Sequence, residues 1–152
     1  MDTNKTILET SDAVELHNIA IDYACSGDYN NSIKYLLKAI ELGNPDSCIE
    51  MCLNIVYKSK KYDYSDEALA AIHPSKFLYY IDLGIGMGSL DCKFYKAREQ
   101  FIGDGFVEYN LAEAYKSFLE LKEAEYDTEE YFDDDWSIED YIENIKRDLR
   151  YQ

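Results

Sequence analysis

Apolar residues recur along most of the chain at three- and four-residue intervals, the spacing that lines one face of an α-helix, and glycines interrupt the runs. Ile19, Ala20 and Tyr23 share a face of a first helix, Gly27-Asp28 breaks it, and Ile33, Leu36, Leu37, Ala39 and Ile40 form the inner face of a second. Gly43-Asn44-Pro45 closes that pair. The pattern then returns. Ile49, Leu53, Ile55, Val56 and Tyr57 mark a third helix, and Ala39-Ile40-Glu41-Leu42-Gly43 is answered by Tyr80-Ile81-Asp82-Leu83-Gly84. A further unit carries Cys92, Phe94, Tyr95, Ala97 and Phe101 into Gly103-Asp104-Gly105-Phe106-Val107, then Ala112, Ala114, Tyr115, Phe118 and Leu119.

These runs predict helices over residues 12–26, 30–42, 46–60, 89–102 and 110–125. A fourth helix, between the third and these last two, begins near Ser65-Asp66-Glu67, and Pro74 ends or kinks it after Ile72; residues 76–83 are its second half or a separate helix. A last helix starts at Ser137, where Ser137-Ile138-Glu139-Asp140 has the spacing of a capping box and Ile138, Tyr141, Ile142, Ile145 and Leu149 make an apolar stripe. Helical hairpins repeated in series build solenoids, whose open ends need a capping element. The expected organisation is a tail over 1–10, repeats over 11–125, an acidic aromatic loop over 126–136 and a capping helix over 137–152.

Tyr23, Gly27, Ala39, Gly43 and Pro45 resemble a tetratricopeptide unit, with Ser32 where that family usually has Ala. Gly103-Asp104-Gly105-Phe106-Val107 followed by Ala114 resembles the glycine-valine turn of the Sel-one-like repeat. The resemblance spans residues 11–125 as three units of about the tetratricopeptide length. It implies an all-α, right-handed α-solenoid of about three helix-turn-helix repeats plus a C-terminal capping helix. It also implies a non-catalytic protein-protein interaction module, a scaffold or adaptor. On that resemblance the groove of the first unit is lined by Val14, His17, Ile21, Ala24 and Cys25.

Charge narrows the partner. The formal net charge is −16, and residues 120–152 hold 13 Asp or Glu against 4 Lys or Arg. Such a field repels phosphates and anionic lipid, so nucleic acid and membrane are not expected partners, whereas a basic protein or peptide is. Two surfaces are candidates: the groove residues His17 and Ile21, and the acidic aromatic segment with Tyr131, Asp133, Asp134, Asp135 and Trp136. In the second, Phe132 and Trp136 can equally be core anchors whose neighbouring carboxylates merely face water. An alternative function is an acidic inhibitor or immunity protein that blocks a basic toxin, nuclease or nucleic-acid-binding protein. With 47% hydrophobic residues the chain can bury a core without disulfides or metal. It has no apolar run long enough to span a bilayer and no signal region after Met1, so a cytoplasmic location is expected.

Four features suggest chemistry and are discounted. Phe77-Leu78-Tyr79-Tyr80-Ile81 followed by Asp82-Leu83-Gly84-Ile85-Gly86-Met87-Gly88 resembles the first motif of nucleotide-fold methyltransferases, but the chain beyond Gly88 is helical in pattern and lacks the alternating strands that sheet requires. The glycines are instead expected to form a turn between helices. Cys48 and Cys52 are one helical turn apart, while Cys25 and Cys92 stand alone, so no zinc site is expected. Asp133-Asp134-Asp135 lacks the spacing of a calcium loop. His17 and His73 have no neighbouring Ser or Cys arrangement that suggests a nucleophile. No cofactor, no metal and no catalytic residue are therefore assigned.

Overall fold

The computed structural model describes residues 12–103, 105–127 and 135–151. Among them the chain is all-helical: α1 Ala13–Cys25, α2 Tyr29–Glu41, α3 Pro45–Val56, α4 Asp66–Ala71, a 3₁₀ turn Pro74–Lys76, α5 Phe77–Gly86, α6 Leu90–Ile102, α7 Leu111–Glu123 and α8 Ile138–Leu149. The chain divides into two compact units, one up to Gly88 and one from Ser89.

In the first unit α1 to α4 each start at a short polar side chain that takes up orphan backbone N–H groups. The Asp12 carboxylate accepts from the Val14 and Glu15 amides at 3.0 and 3.2 Å, and Asp28 accepts from Asn31. Asn44 accepts from the Ser47 amide and also donates to the Ala13 carbonyl, tying the start of α3 to the start of α1. Gly27 and Gly43 stop α1 and α2 at positive φ, +83° and +92°, where a Cβ is disfavoured. The hairpin core is Leu16 and Ala20 on α1 with Ile33, Leu36 and Ala39 on α2, all 0–2% exposed, and Tyr23 stacks on Tyr35.

Helix α3 stops at Val56, not at residue 60 as the apolar pattern suggests. Ser59 Oγ accepts from the Lys61 and Tyr62 amides and so draws the backbone out of the helix. The rings of Tyr62 and Tyr64 then pack against Tyr29, with centroids 4.9 and 6.3 Å away. Asn30 clamps the loop through the Asp63 carbonyl and the Ser65 amide. Another helical turn would carry Lys58, Ser59 and Lys60, which have little to bury; the loop half-buries two tyrosines.

Pro74 ends α4 at Ile72 and opens the 3₁₀ turn, so residues 77–86 form a helix of their own. Phe77, Tyr80, Ile81 and Gly84 are its buried positions, a helical i, i+3, i+4, i+7 set, and they pack it on α3. The glycine-rich segment therefore differs from expectation. Gly84 and Gly86 lie inside α5, and the turn is left to Met87 and Gly88, the latter at φ +91°. The residues that a methyltransferase would need as a strand are helical.

In the second unit α6 and α7 form a hairpin bridged by ion pairs of Lys93 with Glu120 and of Lys96 with Glu113. Gly103, at φ +76°, ends α6, and Val107 is buried in the connection. The inner face of α7 is Leu111, Ala114, Phe118 and Leu121, whereas Ala112 and Leu119 point to solvent. Helix α8 starts with the capping box foreseen at Ser137 and Asp140. It lays Ile138, Tyr141, Ile142 and Ile145 against α7. The resulting core is aromatic: Tyr141 stacks on Phe118 at 4.6 Å, and Phe94 meets Phe118, Tyr126 and Tyr141 within 6.0 Å.

Ser32 marks a weak point in the first core. It is 1% exposed, and among the described residues its hydroxyl has no hydrogen-bond partner. A buried unsatisfied hydroxyl is costly, and Ala is the better helix former. Ser32→Ala should therefore raise stability by about 1 kcal/mol in urea unfolding; a destabilised variant would mean the hydroxyl is bonded.

Candidate functional site

Of the residues singled out from sequence, Tyr131, Phe132, Asp133 and Asp134 lie outside the described residues. Asp135 is exposed, and Trp136 is 39% exposed with its ring 5.1 Å from Tyr141 and 6.1 Å from Phe101. Trp136 is thus seated on the aromatic core at one side and open to solvent at the other.

His17 and Ile21 fall on a better-defined surface. Successive turns of α1 present Val14, His17 and Ile21, and Val14 is 62% exposed. On α3 the corresponding stripe is Asp46, Glu50, Leu53 and Tyr57, with Tyr57 just beyond the helix end and wide open. The two stripes meet where His17 Nδ1 lies 2.8 Å from Ser47 Oγ. The fold, not the local sequence, brings this serine beside His17. Ser47 is fully buried, however, so its hydroxyl cannot meet a substrate, and the pair acts as a tie between helices. The serine lies thirty residues away, and sequence spacing carries no signal for it. His73 likewise has Ser75 Oγ at 2.7 Å, within an exposed turn.

Electrostatics distinguish this face. Helices α1 and α3 carry Glu15, Asp22, Asp46 and Glu50 and no Lys or Arg. Glu50 is half-buried, and among the described residues its carboxylate meets neither a hydrogen-bond donor nor a cation; Asn54 bonds its backbone carbonyl instead. Burial, and then the nearby Asp46 charge, hold the Glu50 pKa above the ordinary carboxylate value. Burial lowers the pKa of His17, against a smaller opposing pull from Asp46.

The two groups give opposite pH dependences. His17 has its folded pKa below 6.5, so its contribution is held above that pH and lost as the pH falls through the folded value. Glu50 has its folded pKa above 4.5, so its contribution is complete below 4.5 and lost as the pH rises through the folded value. Glu50→Gln should therefore stabilise the protein at pH 7 and leave it unchanged near pH 4, measured by urea unfolding across pH. An equal effect at both values would rule out ionisation as the cause.

A second opening, missed from sequence, lies among α2, α4 and α5. It is a cavity of about 430 Å³ lined by Leu37, Ile40, Glu41, Ala70, Ala71, Lys76, Tyr79 and Tyr80. The small Ala70 and Ala71 leave room opposite Leu37 and Ile40, and Lys76 sits over the Tyr79 ring. The Tyr80 hydroxyl donates to the Ala71 carbonyl. Its pKa is pushed up to about 12, mainly by burial.

Cys48, Cys52 and Cys92 are fully buried and Cys25 is exposed. Among the described residues no three His, Cys, Asp or Glu side chains converge as a metal site. No helix among them is long and apolar enough to cross a membrane. Neither a protein-family model, nor a curated protein, nor a solved structure matches the chain.

Proposed function

We propose that this protein is a non-catalytic protein-binding module: a short, right-handed series of tetratricopeptide-like or Sel-one-like hairpins whose first unit takes a basic peptide or protein segment along α1 and α3. The observation that carries this reading is the Val14, His17, Ile21 stripe beside Asp46 and Glu50. That face offers apolar contact and negative charge, and neither α1 nor α3 carries a Lys or Arg. Apolar anchors supply binding energy, while surrounding charge steers a basic partner and rejects acidic ones. The acidity of residues 120–152 favours a second reading, that the same kind of partner is blocked rather than assembled, as by an inhibitor.

A photo-cross-linking residue placed in turn at Val14, Ile21 and Lys34 tests the location in cells of the native host. Adducts are expected from the first two positions and not from Lys34, which is exposed on α2. Adducts from Lys34 alone, or from none of the three, would remove the α1–α3 face from consideration. Repeated in lysate, adduct formation at the first two positions should slow as salt is raised, because the exposed charges that steer the partner are screened beyond roughly 8 Å at physiological ionic strength.

A further inference from the structure

The α1–α3 face holds one group whose state in isolation is unfavourable. Glu50 is half-withdrawn from water, among the described residues no donor or cation receives its carboxylate, and Asp46 one turn earlier adds repulsion. Charged groups placed this way are relieved by an incoming cation and penalised further by an apolar cover, which would complete the burial and leave the charge unpaired. Val14 and Ile21, a turn before and after His17 on α1, and Leu53, a turn beyond Glu50 on α3, present partly exposed apolar surface on the two helices that the His17–Ser47 contact joins.

We infer that Glu50 is the specificity-determining anchor of this face: it receives a single lysine or arginine side chain, flanked in the bound segment by apolar residues that cover Val14, Ile21 and Leu53. The cation enters a half-buried site, so the contact is made at close range and is weakly screened by salt, unlike contacts to the exposed Asp22 and Glu15. Asp46 strengthens the attraction without forming the seat. His17, tied to Ser47 and held neutral by burial at pH 7, does not compete as an internal cation. A segment that is wholly apolar, or that carries a carboxylate at the anchor position, is rejected because Glu50 is then left charged and enclosed.

This inference rests on the proposal that the face binds peptide segments, and the test separates the two. The full chain is immobilised and used to select from a random library of twelve-residue displayed peptides at pH 7, in parallel with Glu50→Gln and Val14→Asp variants whose melting curves establish that they are folded. Wild type should enrich peptides with one lysine or arginine between apolar residues. Glu50→Gln should enrich apolar peptides with no basic preference, and Val14→Asp should lose the apolar preference. For one selected peptide, replacing its lysine by norleucine should weaken binding to wild type by about tenfold or more and leave binding to Glu50→Gln nearly unchanged, the mark of a direct coupling. Enriched peptides whose basic preference survives Glu50→Gln would overturn the anchor while leaving the peptide-binding face intact. If no peptide is enriched by wild type, both the anchor and the peptide-binding reading fall.

Discussion

Tyr141→Ala is expected to cost about 3–5 kcal/mol, the range for removing a buried aromatic, because the ring is the centre of the second unit's core. It is 3% exposed, lies flat on Phe118 with 7° between planes, and meets Phe94, Phe101 and Trp136 with centroids 5.1–6.0 Å away. Each aromatic pair adds about 0.5–1.5 kcal/mol beyond the area it buries. Removing Tyr141 also takes one of the four buried side chains of α8 and its stacking on Phe118 of α7, so loss of helix signal and of Trp136 emission should occur together in urea. Trp136→Ala should cost less, about 1–2 kcal/mol, because 39% of that residue is already in water. Equal losses from the two substitutions would contradict this division between centre and rim. The comparison also decides the role of Trp136: its stability cost measures the buried side, and any further loss of partner binding measures the open one.

Phe77→Ala should be comparably damaging, about 3–5 kcal/mol, while Tyr79→Ala should cost under about 1 kcal/mol. The contrast follows from helix geometry. In α5 the positions turned inward are Phe77, Tyr80, Ile81 and Gly84, and Tyr79 is 58% exposed, with the Lys76 ammonium 5.5 Å over its ring and the Tyr80 ring 5.4 Å away. A strand leading into a glycine loop would instead alternate, burying Phe77, Tyr79 and Ile81 together. Similar losses from both substitutions would therefore support the strand and reopen the nucleotide-fold reading. A wide gap between them excludes it by packing alone, whatever ligand is present.

The helical class was legible because most segments state it independently. Ile33, Leu36, Ala39 and Ile40 cannot share one side of a strand, and the polar residues Asp12, Asp28, Asn44, Ser65, Ser89, Asn110 and Ser137 each precede a helix and cap it. The stop at Pro74 was equally local, since the ring clashes with the preceding turn whatever surrounds it. The α1 stripe of Val14, His17 and Ile21 came from the tetratricopeptide resemblance and not from spacing alone.

What periodicity misjudged were places where a distant group outweighed a local preference. Glycine disfavours a helix interior by about 1 kcal/mol, yet Gly84 and Gly86 stay helical because Phe77, Tyr80 and Ile81 gain more by packing on α3. Helix α3 stops four residues early because Tyr62 and Tyr64 find Tyr29, on a helix more than thirty residues earlier.

By itself, then, the sequence determined that the chain is helical, where most helices begin, and that its overall field is strongly negative, since caps, periodicity and net charge depend only on neighbours along the chain or on composition. Only the tertiary structure decided that His17 meets Ser47, that the acidic helices α1 and α3 come together, and that Glu50 sits half-buried with no donor among the described residues. Those are properties of distance and of solvent access between segments, and a one-dimensional pattern specifies neither.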